Sequence, residues 1–365
     1  MQKVFGQSER ERVNLKKKNK LAAALLEWYA ANKRELPWRQ APSPYHVWIS
    51  EIMLQQTRVE AVKEYYRRFL KRLPDIKSLS EVDEDELLKL WQGLGYYNRA
   101  RNLKKAAVIL AEEYDSVFPE EFEEIMKLPG IGAYTAGAIA SIAFGKCVPA
   151  VDGNVYRIYT RLYGDGEDIG KASHQKRIRE EITKLVPEEC PGDFNQALMD
   201  LGATVCLPNG EPLCAECPLF FMCKAGKKGN PTDYPYKMPK KQRRVEEKTV
   251  LLLEYEGRYM IRKRPDNGLL AGLWEFPCLD GRLSPEEVAA LLESFCGQVE
   301  ELELLGKGKH IFSHIEWRMF GYMVHLKKEI RLPEELILVS VEELKTRYSI
   351  PAAFAYYLNR IPGIL

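Results

Sequence analysis

The chain has 365 residues, of which 45% are hydrophobic and 29% charged, with a formal net charge of +2. Two domains are expected because this length exceeds one typical core of about 100 to 200 residues, and the composition excludes a largely disordered chain. No run approaches the roughly 18 apolar residues of a membrane span and the N-terminus lacks a signal-peptide core, so a cytoplasmic protein without a membrane partner is expected.

The first part of the chain is predicted to be almost entirely helical. Apolar residues recur at helical spacing in four stretches, and few strand-like patterns interrupt them. These stretches are Leu21–Ala31, Ile49–Leu70, Glu84–Leu90 and Leu103–Tyr114. The pattern predicts an all-α domain over residues 1–224.

The composition changes after this helical part. Residues 225–247 are rich in Gly, Pro and Lys and carry no apolar period, which predicts an interdomain linker. Thr249–Tyr255 and Arg258–Lys263 alternate like strands around a turn-forming Glu-Gly pair, which predicts a hairpin. Residues 284–294 and 341–360 are expected to be helical and residues 310–326 to form paired strands. Residues 248–365 therefore indicate an α+β domain.

Two glycines stand in a tight turn within Leu128-Pro-Gly-Ile-Gly-Ala-Tyr-Thr, just before a helix predicted to begin near Thr135. A residue without Cβ lets the backbone approach an anion closely and adopt positive φ, which explains glycine at Gly130 and Gly132. A turn ahead of a helix also directs backbone N–H groups at phosphate. The alternative is an ordinary turn between helices.

Two carboxylates are candidates for chemistry. Asp152 precedes the predicted helix Val155–Leu162, where it would cap the helix. Glu51 lies among Ile49, Ile52 and Met53, and apolar surroundings favour the neutral acid that a general acid requires. A glutamate stabilised by the helix dipole is the alternative.

Eight cysteines are present, and four of them, Cys206, Cys214, Cys217 and Cys223, fall within eighteen residues. Without a secretory signal, a metal or cluster site is favoured over disulfides. The spacing has a single close pair, whereas zinc sites usually show two, so an iron-sulfur cluster held by four thiolates is the better interpretation.

Together these motifs resemble the MutY family of adenine DNA glycosylases, which belongs to the helix-hairpin-helix superfamily of endonuclease III. The resemblance rests on Leu36-Pro-Trp-Arg39, the Glu51 helix, the glycine turn with Asp152, and the cysteines. It covers nearly the whole chain and implies a helix-hairpin-helix domain with a 4Fe-4S cluster. The family spacing has one residue fewer between Cys206 and Cys214, which affects the loop more than the ligands.

The resemblance implies a role for each matching residue. Glu51 would protonate the adenine and Asp152 would stabilise the sugar cation, with help from Tyr134 and Asn154. Relatives that also cut the strand carry a lysine where this chain has Tyr134, so hydrolysis alone is expected. The flipped adenine is expected to be held by Arg34, Trp38, Arg39, Leu54 and Gln196. Gln56 and Thr57 are expected to contact the opposite base, and Tyr96 is expected to enter the base stack.

The second domain contains Gly268-Leu-Leu-Ala-Gly-Leu-Trp-Glu-Phe-Pro277, which resembles Nudix hydrolases such as MutT. The acidic helix that holds magnesium in those enzymes does not follow, so recognition rather than hydrolysis is expected. In the MutY family a Phe-Ser-His loop inspects 8-oxoguanine, and here it matches Phe312, Ser313 and His314, with His310 before them.

The expected partner is double-stranded DNA carrying adenine opposite 8-oxoguanine or guanine, bound by a monomer. Two other hypotheses remain open. One is a Nudix hydrolase of free nucleotides with an added DNA-binding domain, against which the missing acidic helix argues. The other is a lesion-binding or redox-sensing protein without catalysis, against which the presence of both Glu51 and Asp152 argues.

Overall fold

The computed structural model describes residues 9–239, 242–296, 299–327 and 335–364. The chain forms two compact units. The first, called the helical unit, comprises the residues up to 81 together with residues 102–239. The second, called the sheet unit, comprises residues 82–101 together with the residues from 240 onward.

Most of the predicted helices form, but α1 begins at Glu9, well before the predicted Leu21, and α3 begins at Pro44, before the predicted Ile49. The helical unit contains α1 Glu9–Asn32, α2 Pro37–Gln40, α3 Pro44–Leu54, α4 Val59–Arg72, α5 Ile76–Glu81, α8 Phe122–Ile125, α9 Ala133–Phe144, α10 Gly153–Tyr163, α11 Ala172–Thr183, α12 Pro191–Thr204 and α13 Lys224–Lys228. The sheet unit contains α6 Glu84–Trp91, α14 Pro285–Cys296, α15 Val341–Thr346 and α16 Ala355–Leu358, and α7 Asn98–Glu113 crosses from one unit into the other.

The core of the helical unit is built from the apolar faces of its helices. α3 and α9 are buried over most of their length, and small residues bring their backbones close to neighbours. At Gly137 in α9, an added Cβ would lie 2.2 Å from the carbonyl oxygen of Pro149. Glycine is therefore required where α9 meets the segment leading to α10.

The described residues of the sheet unit form a mixed sheet of seven strands. Its strands are β1 Arg244–Tyr255, β2 Arg258–Lys263, β3 Trp274–Glu275, β4 Cys278–Asp280, β5 Val299–Ile311, β6 Ile315–Leu326 and β7 Leu336–Ser340. The main order is β3-β2-β1-β6-β5, with β4 paired to β1 and β7 paired to β2. β1 and β6 are parallel and the other pairs are antiparallel, which confirms the α+β prediction.

The predicted hairpin of β1 and β2 is confirmed. Glu256 and Gly257 connect the strands with φ of 50° and 73°. Positive φ at both central residues suits the twist of an antiparallel pair, which is why this short turn closes the strands. The paired strands predicted within residues 310–326 form only in part, because β6 lies in that range but β5 begins at Val299 and ends at Ile311. The turn between the two strands lies at residues 312–314.

The segment predicted as a linker, residues 225–247, differs from that prediction at both ends. It opens with the helix α13 and a short helical turn, Pro231–Asp233, and Ala225 and Pro231 are buried. Ile169 also donates to the carbonyl of Tyr236. At the far end, β1 already begins at Arg244. A five-residue helix is too short to show periodicity, so the pattern missed it.

Two predicted helices are interrupted. The stretch Ile49–Leu70 breaks between α3 and α4, where Gln56 has a φ of 59°. Residues 341–360 break between α15 and α16, because Pro351 lacks an N–H and disfavours helix in the residue before it.

None of the helices formed by the described residues is both long and apolar enough to cross a membrane.

Candidate active site

Glu51 lies in α3, a helix whose start is capped by the Ser43 side chain. Its residue is only 5% exposed, and Tyr134 on α9 donates a hydrogen bond of 2.5 Å to its Oε2 atom. Burial disfavours the carboxylate and raises the pKa of Glu51 to about 7, although the Tyr134 hydrogen bond opposes the shift. Glu51 can therefore carry a proton near neutral pH.

Asp152 is the N-cap of α10, as the sequence predicted. Its Oδ1 accepts from the backbone N–H groups of Asn154 and Val155, each at 2.9 Å, and its Oδ2 accepts from Nδ2 of Asn154 at 2.7 Å. Burial raises the pKa of Asp152, and these three hydrogen bonds oppose that rise by favouring the charged form. The carboxylate is thus fixed in position by the helix that it caps.

The glycine turn before α9 differs in part from the prediction. Gly130 has a φ of 76°, and a Cβ there would lie 2.6 Å from Cβ of Asn102. Gly132 instead caps α9 with an extended φ of −97°, so positive φ is required at Gly130 alone. An added Cβ at Gly132 would meet no atom within 4 Å, which leaves the N-terminus of α9 open to an anion.

One cavity of about 550 Å³ collects most of the predicted site residues. Such a volume is within the range of small-molecule sites. The predicted residues that line it are Glu51, Tyr134, Asp152, Asn154, Arg34, Trp38, Arg39, Leu54, Gln56, Thr57 and Gln196. Glu51 and Asp152, which are remote in sequence, therefore face the same space.

Asp200 is a residue that sequence reasoning missed. Its side chain is fully buried and binds both cationic residues of the cavity, with Arg34 Nη2 at 2.6 Å and Arg39 Nη1 at 2.7 Å. Burial alone would raise the pKa of Asp200, but hydrogen bonds and charge from Arg39, with Arg34, hold it below its usual range. Asp200 stands four residues after Gln196 in α12, so a shared helical face could have indicated it.

Arg157 is a second residue that the sequence analysis did not identify. Its Nη2 donates to Oδ1 of Asn154 and to the carbonyl of Gly202, both at 2.8 Å, and its Nε donates to the carbonyl of Cys206 at 2.9 Å. Glycine at position 202 lets α12 lie close to Asn154, since a Cβ there would be 2.5 Å from Cβ of Asn154. Arg157 thus connects the residue beside Asp152 to the first cysteine of the group.

The four clustered cysteines line a single pocket with apolar walls. Cys206, Cys214, Cys217 and Cys223 surround it together with Arg161, and none of the four is in a disulfide. Nη1 of Arg161 lies 3.3 Å from Sγ of Cys206. Burial raises the pKa of the Cys217 thiol to about 12, so a bound cationic centre would be needed to keep it ionised.

The separation of these sulfur atoms distinguishes between kinds of centre. Among these four cysteines, all of them described, no three Sγ atoms lie within 4.8 Å of one another. Four sulfurs at the zinc–sulfur bond length of a tetrahedral site would be only about 3.8 Å apart. The wider arrangement fits a multi-iron cluster better than a single zinc ion.

Tyr96 does not line the cavity and belongs to the sheet unit. It is 52% exposed and has a φ of 49°, which is unusual for a non-glycine residue. The turn beneath it is fixed, because Trp91 Nε1 donates to the carbonyl of Gly95 at 3.1 Å and Arg99 donates to the same carbonyl. A strained turn therefore presents an aromatic ring to solvent.

The residues Phe312, Ser313 and His314, which the sequence predicts to inspect 8-oxoguanine and which are here called the recognition loop, connect β5 to β6 in the sheet unit. Ser313 and His314 are exposed, whereas Phe312 packs between the rings of His310 and Trp317, with centroids 4.6 and 4.9 Å away. The N–H of Arg244 in β1 donates to the carbonyl of His314. The loop thus has an anchored aromatic residue and two accessible polar side chains.

Comparison with known proteins assigns both parts of the chain. Residues 49–188 match the HhH-GPD superfamily of base excision DNA repair proteins, and residues 249–360 match the NUDIX domain. The chain is 38% identical to an adenine DNA glycosylase of Arabidopsis thaliana, over 82% of this chain and 56% of that protein. It is 36% identical to an adenine DNA glycosylase of Mus musculus, over 80% of this chain and 68% of that protein.

A solved structure supports the fold of the helical unit. The chain resembles endonuclease III in a non-covalent complex with DNA, at 26% identity and a TM-score of 0.50. The match covers 58% of this chain and 97% of the other.

Proposed function

The chain belongs to the family of adenine DNA glycosylases, and from this membership we propose that it is a monofunctional enzyme of base excision repair. Its substrate is an adenine opposite 8-oxoguanine or guanine in double-stranded DNA, and it hydrolyses the N-glycosidic bond after the base has left the stack. The observation that carries the proposal is that Glu51, with a pKa near 7, and the Asp152 carboxylate line one cavity.

The first step is departure of the base. The Glu51 carboxyl donates its proton to N7 of adenine, and the C1′–N9 bond breaks with its electron pair going to the purine. Protonation is needed because the purine anion is a poor leaving group, and an acid with a pKa near the working pH is best suited to supply it. The hydrogen bond from Tyr134 orients the carboxyl.

The second step is capture of the sugar. The Asp152 carboxylate stabilises the oxocarbenium ion, either as a charge or as a transient covalent adduct, and Asn154 and the start of α10 hold it in place. Water then adds to C1′ and gives its proton to the Glu51 carboxylate. The products are free adenine and an intact strand with an abasic site.

Hydrolysis without strand cleavage follows from the residues at hand. A Schiff base with the sugar would require an amine at the reacting carbon. The described residues that line the cavity include no lysine, and Tyr134 stands where the related strand-cutting enzymes carry one.

The remaining predicted residues serve binding. Arg34, Trp38, Arg39, Leu54 and Gln196 shape the pocket for the flipped adenine. The open N-terminus of α9 at Gly130 and Gly132 binds a DNA phosphate. Gln56 and Thr57 lie near the opposite base, Tyr96 enters the stack, and the recognition loop with His310 reads 8-oxoguanine. Every role lies within one chain, so a monomer suffices.

The pocket of Cys206, Cys214, Cys217 and Cys223 is where a 4Fe-4S cluster would be held. When bound, the cluster would cross-link the loop of residues 206–223, and no step of base removal needs its redox chemistry. Arg161 and Arg157 tie this loop to α10. The cluster would thereby support the helix that positions Asp152.

Hydrolysis of free nucleotides by the sheet unit is disfavoured. Glu275 is the carboxylate of the Nudix-like phrase, and it is buried between Arg262 at 2.9 Å and Arg264 at 2.5 Å. Both of its oxygen atoms are paired with these cations, so this carboxylate is not available to bind magnesium. Incubation with oxidised dGTP is expected to give no pyrophosphate or monophosphate.

The deciding experiment is single-turnover cleavage of a duplex with adenine opposite 8-oxoguanine, with and without alkali, for the wild type and Asp152→Asn. The wild type should give breaks at the adenine only after alkali, and the variant should give none. Breaks without alkali would overturn the monofunctional assignment. Binding without any cleavage by the iron-loaded wild type would favour a lesion-binding protein instead.

A further inference from the structure

We propose that residues 82–101, here called the docking segment, are clamped onto the Nudix-like part of the sheet unit by Lys89, so that insertion of Tyr96 follows the reading of the opposite base. Lys89 would be a positioning residue for the specificity of the enzyme. This inference deepens the proposed function and rests on its roles for Tyr96 and the recognition loop.

The contact of Lys89 in α6 carries the first part of the argument. Its Nζ donates to the carbonyls of Leu344 at 3.1 Å and Tyr348 at 3.0 Å. Leu344 lies in the last turn of α15, where carbonyls lack partners within the helix and attract a cation. Three residues after Lys89, Nε2 of Gln92 donates to the carbonyl of Ile350 at 3.1 Å. Lys89 and Gln92 thus both bind backbone carbonyls within residues 344–350.

The other end of α6 is bound through Asp85. Its Oδ1 accepts from the indole N–H of Trp274 at 3.3 Å and lies 3.4 Å from Nζ of Lys263. Trp274 belongs to the phrase that resembles Nudix hydrolases. This part of the phrase therefore serves as a contact for the docking segment.

Gly272 of the same phrase is shaped for this contact. Its φ is 60°, and a Cβ there would lie 2.7 Å from Nη2 of Arg101, at the end of the docking segment. Nε of Arg101 in turn donates to Glu84 at 2.7 Å, which fixes the guanidinium. Any larger residue at Gly272 would displace Arg101 from this position.

The acceptor side of the clamp shares a core with the recognition loop. Tyr348, Ile350, Phe354 and Trp317 are buried in one hydrophobic cluster, and Phe312 packs against it. The ring centroid of Trp317 lies 4.9 Å from that of Phe312 and 6.2 Å from that of Phe354. A change at the loop can therefore reach the clamp through close-packed rings.

The donor side of the clamp leads directly to Tyr96. Trp91, the last residue of α6, donates to the carbonyl of Gly95, and Arg99 donates to the carbonyls of Leu94 and Gly95. These bonds fix the turn that presents Tyr96 relative to α6. The recognition loop and Tyr96 are therefore expected to respond together.

Two substitutions break the clamp at its two ends with little change of shape. Lys89→Met keeps the apolar stem and removes the three donors, and Trp274→Phe removes the indole N–H that meets Asp85. Lys77→Met, at an exposed lysine of α5 in the helical unit, is the matched control. The use of both variants keeps the test valid if either one folds poorly.

Hydrogen exchange of the full-length protein tests the clamp without any need for activity. In Lys89→Met, peptides covering residues 84–97 and residues 341–350 should both exchange faster than in the wild type, while peptides from α9 and α10 should not change. Lys77→Met should match the wild type throughout. Unchanged exchange in residues 341–350 of Lys89→Met would overturn the clamp.

The coupling is tested by the fluorescence of 2-aminopurine placed beside the target adenine, in an Asp152→Asn background that prevents cleavage. The equilibrium constant for unstacking, obtained from this signal, should be larger opposite 8-oxoguanine than opposite guanine. Both clamp variants should lower the ratio of the two constants toward one, by about fivefold for a typical coupling between sites. An unchanged ratio in both variants, or equal signals in the background protein, would overturn the coupling. Failure of the wild type to excise adenine would instead overturn the proposed function, and the exchange experiment would still decide the clamp.

Discussion

Arg157 and Asn154 lie one turn apart on α10, and the guanidinium of the first holds the side-chain oxygen of the second at 2.8 Å. The amide nitrogen Nδ2 of Asn154 in turn donates to Oδ2 of Asp152. Since Arg157 also binds the carbonyl of Cys206, the orientation of Asp152 depends on the cysteine loop. Arg157 and Arg161 both bind Cys206, but only Arg157 also binds Asn154, so the two arginines are expected to have different effects on catalysis.

Arg157→Met is expected to lower both stability and catalysis. The change leaves the acceptors of Asn154, Gly202 and Cys206 without their donor, at about 1–3 kcal/mol for each buried group that stays unsatisfied. The melting temperature should fall, and the single-turnover rate per iron-loaded molecule should fall about tenfold or more, since Asp152 loses its orienting neighbour.

The matched control is Arg161→Met. Arg161 binds Cys206, Leu207 and Tyr234 but not Asn154. This variant should lose iron and stability while the rate per iron-loaded molecule stays near that of the wild type. Equal losses of that rate in the two variants would contradict the role assigned to Arg157.

Glu51→Gln should abolish excision and stabilise the protein above pH 7. The pKa of Glu51 is about 7 in the folded protein and 4.5 ordinarily, so its contribution to stability is present below pH 4.5 and is lost as the pH rises through 7. The penalty in the wild type at pH 8 is on the order of 3 kcal/mol. Melting temperatures should therefore favour the variant at pH 8 and converge near pH 5.

Glu64→Gln, at an exposed glutamate of α4, serves as the control for this pH series. It should show no pH-dependent difference from the wild type. A Glu51→Gln protein that melts below the wild type at pH 8 would show that the charged Glu51 carboxylate does not destabilise the folded protein.

Tyr134→Phe should move the pH dependence of excision. The hydroxyl of Tyr134 donates to Glu51 and so favours the carboxylate, which lowers the pKa of Glu51. Without it that pKa rises further, and the alkaline limb of the rate profile should shift upward by about one pH unit. A shift toward acid would mean that another group supplies the proton.

Asp200→Asn should destabilise the helical unit by about 3–5 kcal/mol, because Arg34 and Arg39 would keep their charges without the buried partner. Binding of an adenine-containing duplex should weaken along with the fall in melting temperature. Asp193→Asn, in the first turn of the same helix, is the comparison. It should change the free energy of unfolding by less than about 1 kcal/mol, so its melting temperature should stay close to that of the wild type.

Much of the fold followed from the sequence because its signals are local. The hairpin turn at Glu256-Gly257 and the cap at Asp152 each depend on a few adjacent residues, and both form as predicted. The break at Gln56 was missed because apolar spacing continues across it. α13 was missed because five residues carry no period.

The candidate site was predicted in part for a related reason. Glu51 and Asp152 were found through their surrounding phrases, and no pattern in the residues themselves indicated that they share a cavity. Asp200 and Arg157 carry no phrase, since each acts by filling hydrogen bonds of groups that only the folded chain brings near. The roles of such side chains become visible only in the folded structure.

The position of the docking segment changes what a deletion experiment can mean. A protein ending at residue 239 would retain Lys89 and Gln92 but not the three carbonyls that accept their hydrogen bonds. Such a truncation removes the recognition loop and, if the clamp acts as proposed, is expected to loosen Tyr96, which lies in the part that is kept. Selectivity lost by cutting the chain there cannot be credited to the missing loop alone, and point substitutions within the loop are the cleaner comparison.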